Sequence, residues 1–210
     1  GLQTDAVLAD NKQGALLAVR HLLSGGHTRI ACITAPDRPT SIQDRISGYE
    51  QALREASILP LAAVSLALRP GQPSGSSALP NYTEDELAPV ASLLKMRDAP
   101  TALFCINDFI ALGVMRHLLA RRARVPHDVA LVGFDDLAIS AYMPVPLTTV
   151  AQPKQAIGMQ AAELLLSRIA KPALAPREIV LPTELVIRAS SGVLRNTEPV
   201  ASRGQRRSRP

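Results

Sequence analysis

Acidic, amide, hydroxyl and guanidinium side chains recur in this sequence just after short apolar runs. Asp10 follows AVLA, Ser41 and Arg45 follow RIACIT, Asn107 and Asp108 follow TALFCI, and Asp135 and Asp136 follow VALVGF. Carboxylates accept hydrogen bonds from hydroxyls or ring N–H groups, and an arginine donates a planar fork. Together they suit a small polar ligand such as a sugar or nucleobase. Each also has a local structural reading. Asp10, Asn107 and Asp108 are preferred helix caps, and Asp135-Asp136 suits a turn. Arg45 lies near a helix start, where the dipole opposes a cation, so it requires a partner.

Signals for catalysis are sparse. His21, His27, His117 and His127 are not spaced as metal ligands, and none lies near a Ser or Cys in a nucleophile motif. His27, after Gly25-Gly26, reads as a C-terminal capping or dipole partner of the preceding helix. Cys32 and Cys105 sit inside apolar strands as inert thiols, too few for a disulfide framework or thiolate metal site. They suit a reducing cytoplasm. GGH follows a helix instead of opening one, so it is not a phosphate-binding loop. The expectation is a binding protein, not an enzyme, with no cofactor and no metal.

The elements that must position these residues alternate between short apolar or β-branched runs and helix-period segments, the signature of a parallel sheet covered by helices. Strands are expected at 6–9, 29–34, 62–68, 101–106, 129–134 and 147–150, with two more in 178–188 broken at Pro182. Helices are expected from Asp10-Asn11 to Leu23, from Ser41 through Ile46, Tyr49, Leu53 and Ala56, from Thr83 to Met96, from Asn107-Asp108, and from Pro153 to Ala170. The last should pack with Ile157, Ala161, Leu165 and Ile169 inward. RPGQPSGSSALPN is a loop by composition.

The 210 residues are 47% hydrophobic and 20% charged, which excludes a disordered chain, and no apolar run is long enough to span a membrane. Aromatics at 3%, with no tryptophan, argue against broad base-stacking surfaces. Of the net charge of +5, residues 196–210 supply +3 through Arg203, Arg206, Arg207 and Arg209 against Glu198, leaving +2 for the rest. The basicity is mainly a property of a polar tail, expected to be disordered.

These strand-end residues sit within strings that occur in a recognisable order: VLADNKQGALLAVRHLLSGGHTRIACI, DRISGYEQAL, PTALFCINDFIALGVM, VPHDVALVGFDD, PVPLTTVAQPKQAIG and LPTELVIRASS. The set resembles the effector-binding core of LacI/GalR-family transcription regulators over roughly residues 6–192. The resemblance implies a type I periplasmic-binding-protein-like α/β fold, a parallel sheet flanked by helices, closing on a small-molecule effector (a sugar or a nucleoside or purine). Arg45, in R-x-x-GY, matches the family's effector-contacting arginine. Ser41, Asn107 and Asp135 match polar contacts, Tyr82 a stacking aromatic, and Gln152 a cleft-edge position. Asp10 falls nearer a crossover.

The resemblance also implies a layout. Residues 1–9 end an N-terminal subdomain, 10–143 form most of the C-terminal subdomain, and 144–177 hold a crossover and an N-terminal-subdomain helix. Residues 178–192 return to the C-terminal subdomain, and 193–210 are the tail. Crossings are expected near Asp10, 144–150 and 171–177. The family's helix-turn-helix head and first βα units have no counterpart here, so operator DNA is expected only through that missing head. A cytoplasmic homodimer is implied, with no membrane partner. Ser57 and Arg122 replace family glycines where a left-handed backbone is expected. A periplasmic sugar-binding protein of a transport system is the alternative reading, and a small doubly wound enzyme the competing class.

Overall fold

The computed structural model describes residues 4–36, 39–68 and 81–192. The chain runs β1 (Ala6–Ala9), α1 (Asn11–Ser24), β2 (Ile30–Thr34), α2 (Thr40–Glu55), β3 (Val64–Ser65) and α3 (Ala88–Leu93). It continues as β4 (Ala102–Cys105), α4 (Asp108–Ala120), β5 (Ala130–Asp135), β6 (Thr148–Ala151), α5 (Lys154–Ala170), β7 (Glu178–Leu181) and β8 (Glu184–Val186). Single 3-10 turns lie at Ala138–Ala141 and Ala189–Ser191. The main sheet has the order β3-β2-β4-β5-β6-β8, parallel except for the antiparallel β8, as expected for an α/β protein with helices beside a parallel sheet. A separate parallel pair joins β1 to β7.

β2 and β4 are buried at every position, which is why they read as continuous apolar runs instead of alternating ones. Successive side chains of β5 point to opposite faces, so Phe134 meets α1 at Gly14 while Gly133 faces Asp108 at the start of α4. α1 and α4 therefore cover opposite faces. Gly48, within R-x-x-GY, lets α2 approach α1 closely: a Cβ there would sit 2.2 Å from the Lys12 carbonyl oxygen. Buried Tyr49 anchors the same helix, donating its hydroxyl toward the Ile30 and Leu61 carbonyls at 3.0 and 3.2 Å.

Several elements differ from expectation. The Thr83–Glu86 capping box forms, with Glu86 Oε2 accepting from the Thr83 N–H at 2.7 Å and Thr83 Oγ1 from the Glu86 N–H at 3.3 Å. The helix nevertheless waits until Ala88, because Pro89 has no N–H to continue the first turn. β3 is only two residues long, at the sheet edge. His27 closes α1 through its backbone N–H to the Leu22 carbonyl, while its buried ring lies between Thr101 Oγ1 and the Gly192 carbonyl. Burial pushes that imidazole below its ordinary pKa, so it is no cationic dipole partner. The irregular loop, apart from Asn81, and the basic tail lie outside the described residues.

The crossings also move. β6 belongs to the main sheet up to Ala151, and its first three residues are buried, so 144–150 is not a linker. β7 pairs with β1, not with the main sheet, so the chain returns at Pro182-Thr183 and not within 171–177. Pro182, lacking a donor, separates the two strands. Thus 178–181 joins β1 and α5, correcting the expected return at Glu178. Among the described α5 residues only Leu164 is buried, while Leu165 and Ile169 of the expected inward face are 60% and 67% exposed.

Candidate functional site

The carboxyl ends of β4 and β5 meet the start of α2 at Arg45, which is 6% exposed. Its Nε donates to Asn11 Oδ1 at 2.8 Å and its NH1 to the Ile106 carbonyl at 2.5 Å. Its NH2 lies 3.1 Å from Asp135 Oδ1. The guanidinium carbon sits 3.7 Å above the centre of the Phe134 ring. Burial lowers the arginine's pKa and Asp135 opposes that shift. The partner required by a cation near a helix start is therefore Asp135, assisted by Asn11, whose type and position read only as part of the α1 start. Asn11 could be suspected only from its place beside the helix-capping Asp10, whose side chain accepts from the Gln13 N–H at 2.9 Å.

Asp135 and Asp136 both have positive φ, 112° and 44°. Aspartate tolerates that region better than most residues, but it still needs surroundings that hold it. Four groups do so. Gln152 Nε2 donates to Asp135 Oδ1 at 2.5 Å. Lys154 Nζ donates to the Asp135 and Asp136 carbonyls at 2.5 and 3.3 Å. Arg188 NH2 binds Asp136 Oδ1 at 2.8 Å, and its NH1 binds the Leu147 carbonyl at 2.9 Å. Burial raises the Asp135 carboxyl above the usual carboxylate range, against the pull of Arg45.

Asn107 is the N-cap of α4, its Oδ1 accepting from the Ile110 N–H at 2.8 Å, which leaves its amide nitrogen for other partners. Asp108 is not a cap. It is fully buried and accepts from the Leu137 N–H at 2.9 Å and from the Ser140 and Thr149 hydroxyls at 2.6 Å each. Ser41 is half-buried in the first turn of α2, one turn before Arg45 and on the same side of the helix.

Arg45, Asn107, Asp135 and Gln152 thus cluster at the strand ends, with Ser41 beside them. Tyr82 does not join them. It is 5% exposed and its ring fills the slot left by Gly113, where a Cβ would sit 2.1 Å from Cδ2, so it is a core residue of the α4 face. A lone aromatic after an irregular loop carries no signal separating these roles. Lys154 and Arg188 lie inside the strings PVPLTTVAQPKQAIG and LPTELVIRASS, but a cation there carries no sign of its partner, and only the fold brings exposed Lys154 and largely shielded Arg188 onto the Asp135–Asp136 turn. Among the described residues no group of three or more His, Cys, Asp or Glu could hold a metal ion, and no helix is long and apolar enough to cross a membrane.

Comparison with known proteins extends this geometry. The family model for the periplasmic binding protein-like domain matches residues 19–191. The transcriptional repressor PurR of Aliivibrio salmonicida is 37% identical over 166 residues, covering 79% of this chain and 46% of the relative. The ribose operon repressor of Haemophilus influenzae is 34% identical over 189 residues, covering 90% and 54%. The chain therefore spans about half the length of the curated relatives it matches. Among solved structures, a LacI-family transcriptional regulator of Enterococcus faecalis with bound ribose aligns at a TM-score of 0.74 and 31% identity, covering 91% of this chain and 64% of the other. The complex of the transcriptional regulator CelR with cellobiose aligns at 0.73 and 31%, covering 90% and 54%. With the strand-end cluster inside the matched span, these likenesses establish that the chain belongs to the periplasmic binding protein-like domain family, in the form carried by LacI-family transcriptional regulators.

Proposed function

We propose that this chain is the effector-binding core of a DNA-binding transcriptional regulator, and that its effector is a neutral polyhydroxylated molecule of the pentose or hexose class. The observation that carries the reading is the buried Arg45–Asp135 pair at 3.1 Å. Asp135 already balances the arginine's charge, so the pair favours a ligand without a phosphate or carboxylate. It still has capacity for neutral hydroxyls: among the described residues no hydrogen bond occupies Asp135 Oδ2, and Arg45 commits three of its five N–H groups. A hydroxyl that donates to the carboxylate while accepting from the guanidinium or the Asn107 amide uses all three. A purine would need a ring to stack on, and the ring at the pair, Phe134, is fully buried with Arg45 over one face. The relatives with bound ribose or cellobiose point the same way.

In the whole regulator, β1, β7 and α5 would belong to a second subdomain closing over the ligand, with the exposed side of α5 as a packing surface. Effector binding would shift the relative pose of the subdomains and so bias operator binding by a cytoplasmic homodimer through heads outside this chain. The described groups at the site, a carboxylate, a guanidinium and two amides, are hydrogen-bonding groups suited to holding a ligand, which supports a binding role.

The test is a thermal-shift series with D-ribose, D-glucose, cellobiose and hypoxanthine. A sugar at a hundred times its dissociation constant should add about 2.7 kcal/mol of stability, and the shift should vanish in Asp135→Asn. A shift from hypoxanthine alone, or a sugar shift that survives in Asp135→Asn, would overturn the reading.

A further inference from the structure

We propose that Asp108, which the proposed ligand contacts leave out, is the positioning residue of the site: its buried carboxylate holds the Asp135–Ser140 turn in the arrangement that presents Asp135 to Arg45. The inference rests on the reading of Asp135 as a ligand contact.

The carboxylate reaches the turn from the other face of the sheet. Asp108 is the first residue of α4, and it can lie against β5 because residue 133 is glycine: a Cβ there would sit 2.2 Å from Asp108 Oδ1. Oδ2 receives the Leu137 N–H and the Ser140 hydroxyl, the two ends of the turn after Asp136. Oδ1 receives the Thr149 hydroxyl, and Thr149 Oγ1 in turn lies 3.4 Å from the Asp136 N–H. Both residues in the left-handed region are therefore followed by a backbone or hydroxyl donor tied, directly or through Thr149, to one carboxylate. Without it, the Leu137 N–H loses its acceptor and the turn is free to relax to negative φ. The Asp135 side chain is then carried away from the guanidinium.

The three donors match the ionised form. Once protonated, Asp108 donates from Oδ1 to the Thr149 hydroxyl, which can rotate to accept, and Oδ2, now a neutral carbonyl oxygen, holds the Leu137 N–H and the Ser140 hydroxyl less strongly. Burial raises this carboxyl to about 6, while Ser140, Thr149 and Leu137 pull it down and nearby Asp135 pushes it up. The other titratable groups facing it are Arg45 from α2, whose charge it supports, and the buried thiol of Cys105 from β4. At neutral pH the network is complete. As pH falls through about 6, Asp108 takes up a proton and the turn loosens.

Amide signals of Asp135, Asp136 and Leu137, followed by NMR from about pH 8 to about pH 5 without ligand, test this directly. In the wild type the three should titrate together with a midpoint near 6. In Asp108→Asn, which keeps the shape of the side chain, they should be displaced at every pH and lose that midpoint. In Ser140→Ala, which removes a hydrogen bond favouring ionisation, the midpoint should rise. At neutral pH, D-ribose affinity should fall about tenfold, or about 1.4 kcal/mol, in Asp108→Asn. Amides that do not move in the wild type, a midpoint that survives in Asp108→Asn, or an unchanged ribose affinity in that variant would each overturn the role of Asp108. Failure of every sugar to bind the wild type would instead remove the effector reading, and the amide titration would still decide whether Asp108 holds the turn.

Discussion

Arg45 and Asp135 are both shielded from water, with side chains 7% and 20% exposed, and each makes the other's burial tolerable. Removing one member of such a pair leaves an uncompensated charge, so Arg45→Ala should destabilise the protein by about 3 kcal/mol at neutral pH. Because burial already raises the Asp135 carboxyl above its unfolded value, the folded state favours its protonated form, and the cost of ionisation grows as pH rises above that unfolded value. Loss of Arg45 raises the carboxyl further. The deficit of Arg45→Ala, measured by urea unfolding, should therefore shrink as pH is lowered toward 5. A deficit that stays constant or grows would mean that lost packing on Phe134 dominates instead of charge. Arg45, Asn107 and Asp135 were legible because chemically specific side chains follow apolar runs. The division of labour within Asn107-Asp108 was not. Both residue types suit a cap, and only the missing Cβ at Gly133 distinguishes the one that turns inward.

Helix ends carried much of the readable information in the chain. Asp10 and Asn107 bond the N–H groups three residues on, as their types suggest, and Pro153 directly precedes α5. Where sequence reading overran, a second residue intervened within the same turn, as Pro89 does after the Thr83–Glu86 box. The C-terminal ends of α2 and α4 carry a measurable strain. Ser57 and Arg122 have φ of 59° and 60°, the left-handed region that glycine adopts without a steric penalty. The Arg122 N–H still bonds the Leu119 carbonyl at 2.9 Å, so the conformation is imposed by the helix termination and not by the arginine side chain. Arg122→Gly should relieve it and raise stability by about 1 kcal/mol, less the extra entropy glycine gives the unfolded chain. A fall in melting temperature would show that the stem of this exposed arginine contributes more packing than the strained backbone costs.

At the scale of the molecule, cohesion is uneven. The six-stranded sheet and the helices packed on it hold nearly all the fully buried side chains, from Leu22 of α1 and Tyr49 of α2 to Phe104 of β4 and Phe134 of β5. The β1–β7 pair and α5 contribute only Ala9 and Leu164 to the buried apolar residues. Polar ties replace much of the missing packing: Arg168 binds Asp5 at 3.0 Å, and Asp5 Oδ1 accepts from the Arg177 N–H at 2.9 Å. These lie near the surface and stabilise modestly. The smaller unit joins the main sheet through three short connections, at Asp10, at Gln152-Pro153 and at Pro182-Thr183, and the second carries both Gln152 and Lys154 onto the Asp135–Asp136 turn. The strand alternation made a parallel sheet readable, and the family resemblance its division in two, but neither showed that β7 pairs with β1, because a four-residue apolar run pairs equally well with either sheet. Native-state hydrogen exchange should therefore show two levels. Amides of β2, β4 and β5 should exchange only through global unfolding, while those of β1, β7 and α5 open at a clearly lower free energy. A bound sugar that draws on Asp135 should slow exchange most at Thr148–Ala151 and in the first turn of α5, where Gln152 and Lys154 transmit the order of the turn. Uniform protection across both units would mean that the Asp5–Arg168 ties and the shared turn already weld them into one cooperative body, leaving no hinge for an effector to bias.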